Sequence, residues 1–123
     1  MNRAHKKLAV WQGAVHLATQ LYKQTESFPD SEKFGLVSQL RRAGVSVPSN
    51  IAEGAARNSD RDFLRFLNMA NGSLSEIDTQ LEIARQLNYL HPDEVASIED
   101  LVNSVSIKLA GLIRHLKQKR GEK

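Results

Sequence analysis

Arg85 and His91 are the pair in this chain whose types and spacing first suggest chemistry. A guanidinium can stabilise charge on a phosphodiester under attack, and an imidazole can move protons near neutral pH. Their spacing is permissive, however, and chance produces it readily. His91 also precedes Pro92, which reads as the start of a helix. The other histidines are His5, His16 and His115, and none stands in a Glu-x-x-His pattern, so the di-iron carboxylate arrangement is missing. Asp78 and Glu82, one turn apart, read as a solvated helix face. Glu53 and Glu76 could approach each other across two helices, but two carboxylates without further ligands do not make a metal site. No metal, cofactor or small-molecule substrate is expected, and the chain does not read as an enzyme. The absence of cysteine excludes disulfides, zinc–thiolate sites and thiol catalysis, and it suits the cytoplasm. No apolar run approaches about 18 residues, so no membrane span and no membrane partner is expected.

The elements that would position such residues are helices. Apolar residues recur at alternating spacings of three and four in four segments. They are Leu8, Trp11, Val15, Ala18 and Tyr22; then Val37, Leu40, Gly44, Val47 and Ile51. The third set runs from Phe63 through Leu67, Ala70, Leu74, Ile77 and Leu81 to Ala84. The fourth runs from Val95 through Ile98, Val102, Val105, Leu109 and Leu112 to Leu116. Period-two alternation is not sustained anywhere, so the chain reads as all-α. One domain is expected, with helices at about 5–26, 31–57, 60–88 and 92–119. Asp30 is placed to cap the second helix, Ser59 the third, and Pro92 fits the first position of the fourth. Short connections make neighbours antiparallel, giving an up-down-up-down bundle. Only residues 1–5 and 119–123 read as loose ends.

The second segment, 41–54, is unusual. Pro48 lacks an N–H and crowds the Gly44 carbonyl, so a kink is expected, with Ser46 or Ser49 supporting the freed backbone. Gly44 and Gly54 permit close helix approach. Arg42, Ser46, Asn50, Glu53 and Arg57 share a polar stripe, either solvated, buried in an oligomer or meeting a ligand.

The same segment carries a resemblance. Trp11-Gln12, Phe28-Pro29, Phe34-Gly35-Leu36, Gln39-Leu40-Arg41-Arg42-Ala43, Ser46 to Gly54, Gly72 to Glu76 and Leu81 to Ala84 resemble the 23S rRNA-intervening-sequence, or S23, proteins. The likeness spans roughly residues 7–116. It implies a left-handed four-helix bundle assembled as a homopentamer. Similar accessory proteins of diversity-generating retroelements bind nucleic acid and a reverse transcriptase. The loose Arg85–His91 match to helical ribonucleases of the HEPN type is the remote enzymatic alternative.

Bundle topology also gathers charge. One end collects residues 1–8, 53–65 and 113–123. There Arg3, Lys6, Lys7, Arg57, Arg61, Arg65, Arg114, Lys117, Lys119, Arg120 and Lys123 stand against Glu53, Asp60, Asp62 and Glu122. Cations near the end of the fourth helix complement its dipole, but Arg3, Lys6, Lys7, Arg61 and Arg65 sit at helix starts, where the dipole disfavours them. A polyanion partner, RNA or an RNA-bound protein, accounts for them. A protein-interaction scaffold is the alternative. Self-association is expected as well, because Leu64, Phe66, Ile83, Leu87 and Ile107 lie off the main core stripes.

Overall fold

The computed structural model describes residues 3–121. It contains four α-helices: α1 (Ala9–Thr25), α2 (Leu36–Ala55), α3 (Asp60–Gln86) and α4 (Pro92–Lys119). Short 3-10 turns, Ala4–Lys7 and Asp30–Glu32, precede α1 and α2, and no strand occurs among the described residues. Each helix packs on the next, α1 also packs on α4, and the diagonal pairs stay apart. Side-chain contacts fix the directions. Ser46 meets Ser73 and Gln39 meets Gln80, so α3 runs back along α2. Arg41 meets Thr25 while Gly44 lies against Ala18 and Leu21, so α1 and α2 are also antiparallel.

The apolar stripes read for α2, α3 and α4 face the centre. Leu40, Val47, Ile51, Leu67, Ile77, Leu81, Ile98, Val105 and Leu109 are essentially out of water. Each such side chain stabilises the fold by about 1.5–3 kcal/mol relative to exposure. Helix α1 departs from expectation. Its buried residues are Val10, Ala14, Leu17, Ala18, Leu21 and Thr25, whereas Val15 and Tyr22 are over a third exposed. Of the expected stripe, Ala18 is buried and Leu8 and Trp11 pack on the core, but Val15 and Tyr22 turn away from it. Apolar residues cover much of the circumference of α1, so spacing alone admits two stripes, and packing against α2 and α4 selects one. Leu64 and Phe66 also differ from expectation: both are buried, at 7% and 8% exposure.

The helix ends show which local interactions decide boundaries. Residues 4–7 form a 3-10 turn rather than a loose end, and extended Leu8 interrupts the helix expected from about residue 5. Leu8 packs on the core instead. Met1, Asn2, Glu122 and Lys123 lie outside the described residues. Helix α2 starts at Leu36, not near 31, and Asp30 does not cap it. Glu32 does: its Oε1 accepts from the Leu36 N–H at 3.1 Å, and its Oε2 accepts from the Tyr89 hydroxyl at 2.9 Å. This carboxylate holds the Tyr89 phenol proton more tightly than usual. Ser59 caps α3, accepting from the Asp62 N–H at 3.1 Å. Helix α3 ends at Gln86, two residues early. Asn88 takes the left-handed conformation (φ 59°), and the Tyr89 N–H reaches back to the Ala84 carbonyl at 2.9 Å. That is a Schellman closure with asparagine in the place usually held by glycine.

Two glycines of α2 set how near its neighbours come. A Cβ on Gly44 would lie 2.9 Å from Leu21 Cδ1, and one on Gly54 would lie 2.8 Å from Phe63 Cδ1 and 2.9 Å from Phe66 Cβ. Gly72 is different: nothing lies within 4 Å of where its methyl would sit. Gly72→Ala is therefore expected to stabilise the protein by about 0.5–1 kcal/mol, because helix-interior glycine is entropically costly. A raised urea midpoint would show it. A lowered midpoint would mean that another surface covers that position.

Candidate nucleic-acid interface

Three separated segments build one end of the molecule. The turn Ala4–Lys7 brings Lys6 and Lys7 and packs against α1 and α2. The Gln12 amide holds it by donating to the Lys6 carbonyl at 2.9 Å. The α2–α3 corner brings Arg57, Arg61 and Arg65. The last turns of α4 bring Arg114, Lys117, Lys119 and Arg120, and Lys119 Nζ reaches Asp60 Oδ2 at 3.4 Å. That contact joins the end of α4 to the start of α3.

The cations at this end are not equivalent. Arg57 pairs with Glu53 at 2.7 Å and Arg65 with Asp62 at 3.3 Å. Both guanidiniums also stack on the Phe66 ring, at 4.7 Å and 4.6 Å from its centroid. Within the corner Arg57, Arg61 and Arg65 are matched by Glu53, Asp60 and Asp62. Among the described residues, Arg3, Lys6, Lys7, Arg61, Arg114 and Lys117 make no ion pair. Apart from Arg61 in the corner, these unpaired cations lie along the edge made by the first turn and α4. Sequence alone ranked the ten described cations together; only pairing separates them.

The α2 stripe divides as well. Arg41 turns to α1, donating to Thr25 Oγ1 at 3.0 Å and to the Tyr22 carbonyl at 3.1 Å while lying over the Tyr22 ring. Arg42 instead lines a groove of about 400 Å³ between α2 and α3, with Gln39, Ser46, Ser73, Glu76 and Gln80. Successive turns of the two helices form polar rungs across it. Gln80 Nε2 donates to Gln39 Oε1 at 3.3 Å, and the Ser46 and Ser73 hydroxyls pair at 2.8 Å. Asn50 Nδ2 donates to the Ser46 carbonyl at 2.9 Å and to its hydroxyl at 3.0 Å, and neither the Ser46 nor the Ser49 hydroxyl bonds the Gly44 carbonyl, to which the buried Pro48 has no N–H to donate. Gln80 Oε1 is buried without a partner. The antiparallel register sets Glu76 level with Ala43 and Glu53 level with Phe66, about ten helix residues or some 15 Å apart along the axis. The Glu53–Glu76 approach suggested by the sequence does not occur, and Glu53 pairs with Arg57 instead.

Arg85 is engaged elsewhere too. It donates twice to Glu82, at 2.9 Å and 2.6 Å. Those bonds, then one from Gln86, hold the Glu82 carboxyl down at about 2. A depressed carboxyl contributes its stability above its unfolded value and loses it only as pH falls through about 2, so this pair persists at any neutral pH. His91 stands at the start of α4, its N–H bonded to Glu94 Oε1 at 2.8 Å. The arginine of the suggested phosphodiester-cleaving pair is thus neutralised by its own helix.

These features define a class: an all-α, four-helix protein with a cationic edge at one end and a polar groove between its second and third helices. The chain belongs to the 23S rRNA-intervening sequence protein family, whose profile matches residues 6–111. A crystal structure of a protein of unknown function from the S23 ribosomal protein family of Bacteroides thetaiotaomicron VPI-5482 is similar in fold. Its TM-score is 0.77 at 24% identity, over 85% of this chain and 98% of that one. No curated protein matches the chain. No helix among the described residues is long and apolar enough to cross a membrane.

Proposed function

We propose that this protein is a non-catalytic, self-associating bundle that binds RNA, or an RNA-bound protein, through its basic end. The observation that carries this reading is the clustering of unpaired cations from distant segments: Lys6 and Lys7 before α1, Arg114 and Lys117 on α4. Helix-dipole complementarity accounts for Lys117, in the last turn of α4, but not for Lys6 and Lys7, which precede a helix start. Phosphate binding accounts for all four. A cytoplasmic setting suits a cysteine-free chain. The test is anisotropy of the purified protein with a labelled structured RNA between about 50 and 200 mM salt, where affinity should fall steeply. No binding at micromolar protein and low salt would favour the scaffold reading.

The bundle is taken to be left-handed and up-down-up-down, and its assembly to be the homopentamer that the family resemblance implies. Support for association comes from exposed apolar residues: Ile83 on α3, Leu87 just past its end, and Ile107, 73% exposed, on α4. Ile83→Glu with Ile107→Glu is expected to lower the mass measured by light scattering. An unchanged assembly would exclude these two positions from the contact.

A further inference from the structure

We infer that the groove between α3 and α4, beside the basic end, seats one unpaired nucleotide of an RNA strand. This rests on the basic-end reading and gives it a location and a strand preference. The groove holds about 570 Å³ and is lined by Asn68 and Asn71 of α3 with Ile113, Arg114, Lys117 and Gln118 of α4. That volume lies within the roughly 300–1,000 Å³ of small-ligand sites, enough for a nucleotide but not for a duplex. No carboxylate lines it.

The lining has the two chemistries that a nucleotide needs. Arg114 and Lys117 are one turn apart on α4 and have no acidic partner among the described residues, leaving both to neutralise phosphate. Asn68 and Asn71 are one turn apart on α3, facing them across the groove. Their side-chain amides make no hydrogen bond among the described residues, and each offers two donors and an acceptor. Such amides match the donor–acceptor pairs along a base edge. In a duplex the Watson–Crick edges are already used, so the amides favour an unpaired base. Half-buried Ile113 supplies an apolar surface for the base, and the Arg114 guanidinium a plane for stacking. The α2–α3 corner is less suited: Arg57 and Arg65 are already held by Glu53 and Asp62, leaving Arg61 alone without an acidic partner among its described arginines.

Anisotropy with a short labelled RNA of mixed sequence, single-stranded and then annealed to its complement, tests the inference. The single strand should bind about tenfold more tightly than the duplex. Asn68→Ala with Asn71→Ala changes no charge and sits on exposed helix positions. It should weaken single-strand binding about tenfold while leaving the salt slope unchanged. Arg114→Gln with Lys117→Gln should instead reduce that slope by about 1.4, from two phosphate contacts at roughly 0.7 each. Equal affinity for duplex and single strand, with the amide variant binding like the wild type, would overturn the groove and leave the basic end standing. A wild-type protein that binds neither RNA would remove both.

Discussion

Reversing Lys6, Lys7, Arg114 and Lys117 to glutamate together is expected to lower RNA affinity by about a hundredfold or more at low salt. These four are chosen because none has an acidic partner among the described residues. Each is therefore available to a phosphate without first breaking an ion pair. Reversal replaces four attractive contacts by four repulsive ones, and the remaining affinity should depend far less on salt. Fold stability should change little: the four side chains lie on the surface and are not part of the core cluster. Reversing Arg57 and Arg65 is a useful contrast. Both already face carboxylates, at 2.7 Å and 3.3 Å, so their loss should cost less binding. Their loss should cost more packing, since both guanidiniums stack on Phe66. Anisotropy titrations across salt, with a thermal melt of each variant, separate the two effects. Equal losses from both sets would mean that pairing does not select the contact residues.

Gly54→Ala is expected to destabilise the protein by about 1–3 kcal/mol, although alanine is the better helix former. The added methyl would sit 2.8 Å from Phe63 Cδ1, 2.9 Å from Phe66 Cβ and 3.2 Å from the Phe63 carbonyl. Two of these three are a Cβ and a backbone oxygen, which cannot swing aside as a side-chain tip can. To relieve the contact α3 must move away from α2, loosening the packing below Phe63 and Phe66 and disturbing the platform under Arg57 and Arg65. Gly44→Ala should be milder, because its close contact is the tip of Leu21. The series Gly54, Gly44, Gly72 should thus run from clear loss through small loss to gain in urea midpoint. A Gly54→Ala protein as stable as the wild type would show that the α2–α3 spacing adjusts freely.

How far the chain was legible depended on the element. For α2, α3 and α4 one apolar stripe dominated, so spacing identified most core residues directly, missing Leu64 and Phe66 at the start of α3. In α1 two stripes competed, and the sequence reading placed Ala18, Leu8 and Trp11 correctly but took Val15 and Tyr22 in place of Leu17 and Leu21, which obey the same periodicity. Ser59 was recognisable as a cap from its own type and place; Glu32 was not, because its role depends on a turn that carries it back to Leu36. The ten described cations were visible by type, yet which of them stay unpaired was not. Asn68 and Asn71 gave no signal at all, since an exposed amide on a helix is ordinary until a second helix places cations opposite it.

Composition and period determined that this chain is helical and how many α-helices it has, and its motif residues, Ser46 to Gly54 above all, carried the family resemblance. Those are properties of neighbours along the chain, where the repeat of 3.6 residues acts through adjacent turns. Tertiary structure alone decided the face that α1 buries, the separation of Glu53 from Glu76, the pairing of Arg57 and Arg65, and the groove between α3 and α4. Each depends on the register between helices distant in sequence. Register is set by where large side chains meet glycines such as Gly44 and Gly54, a fit that no single segment contains.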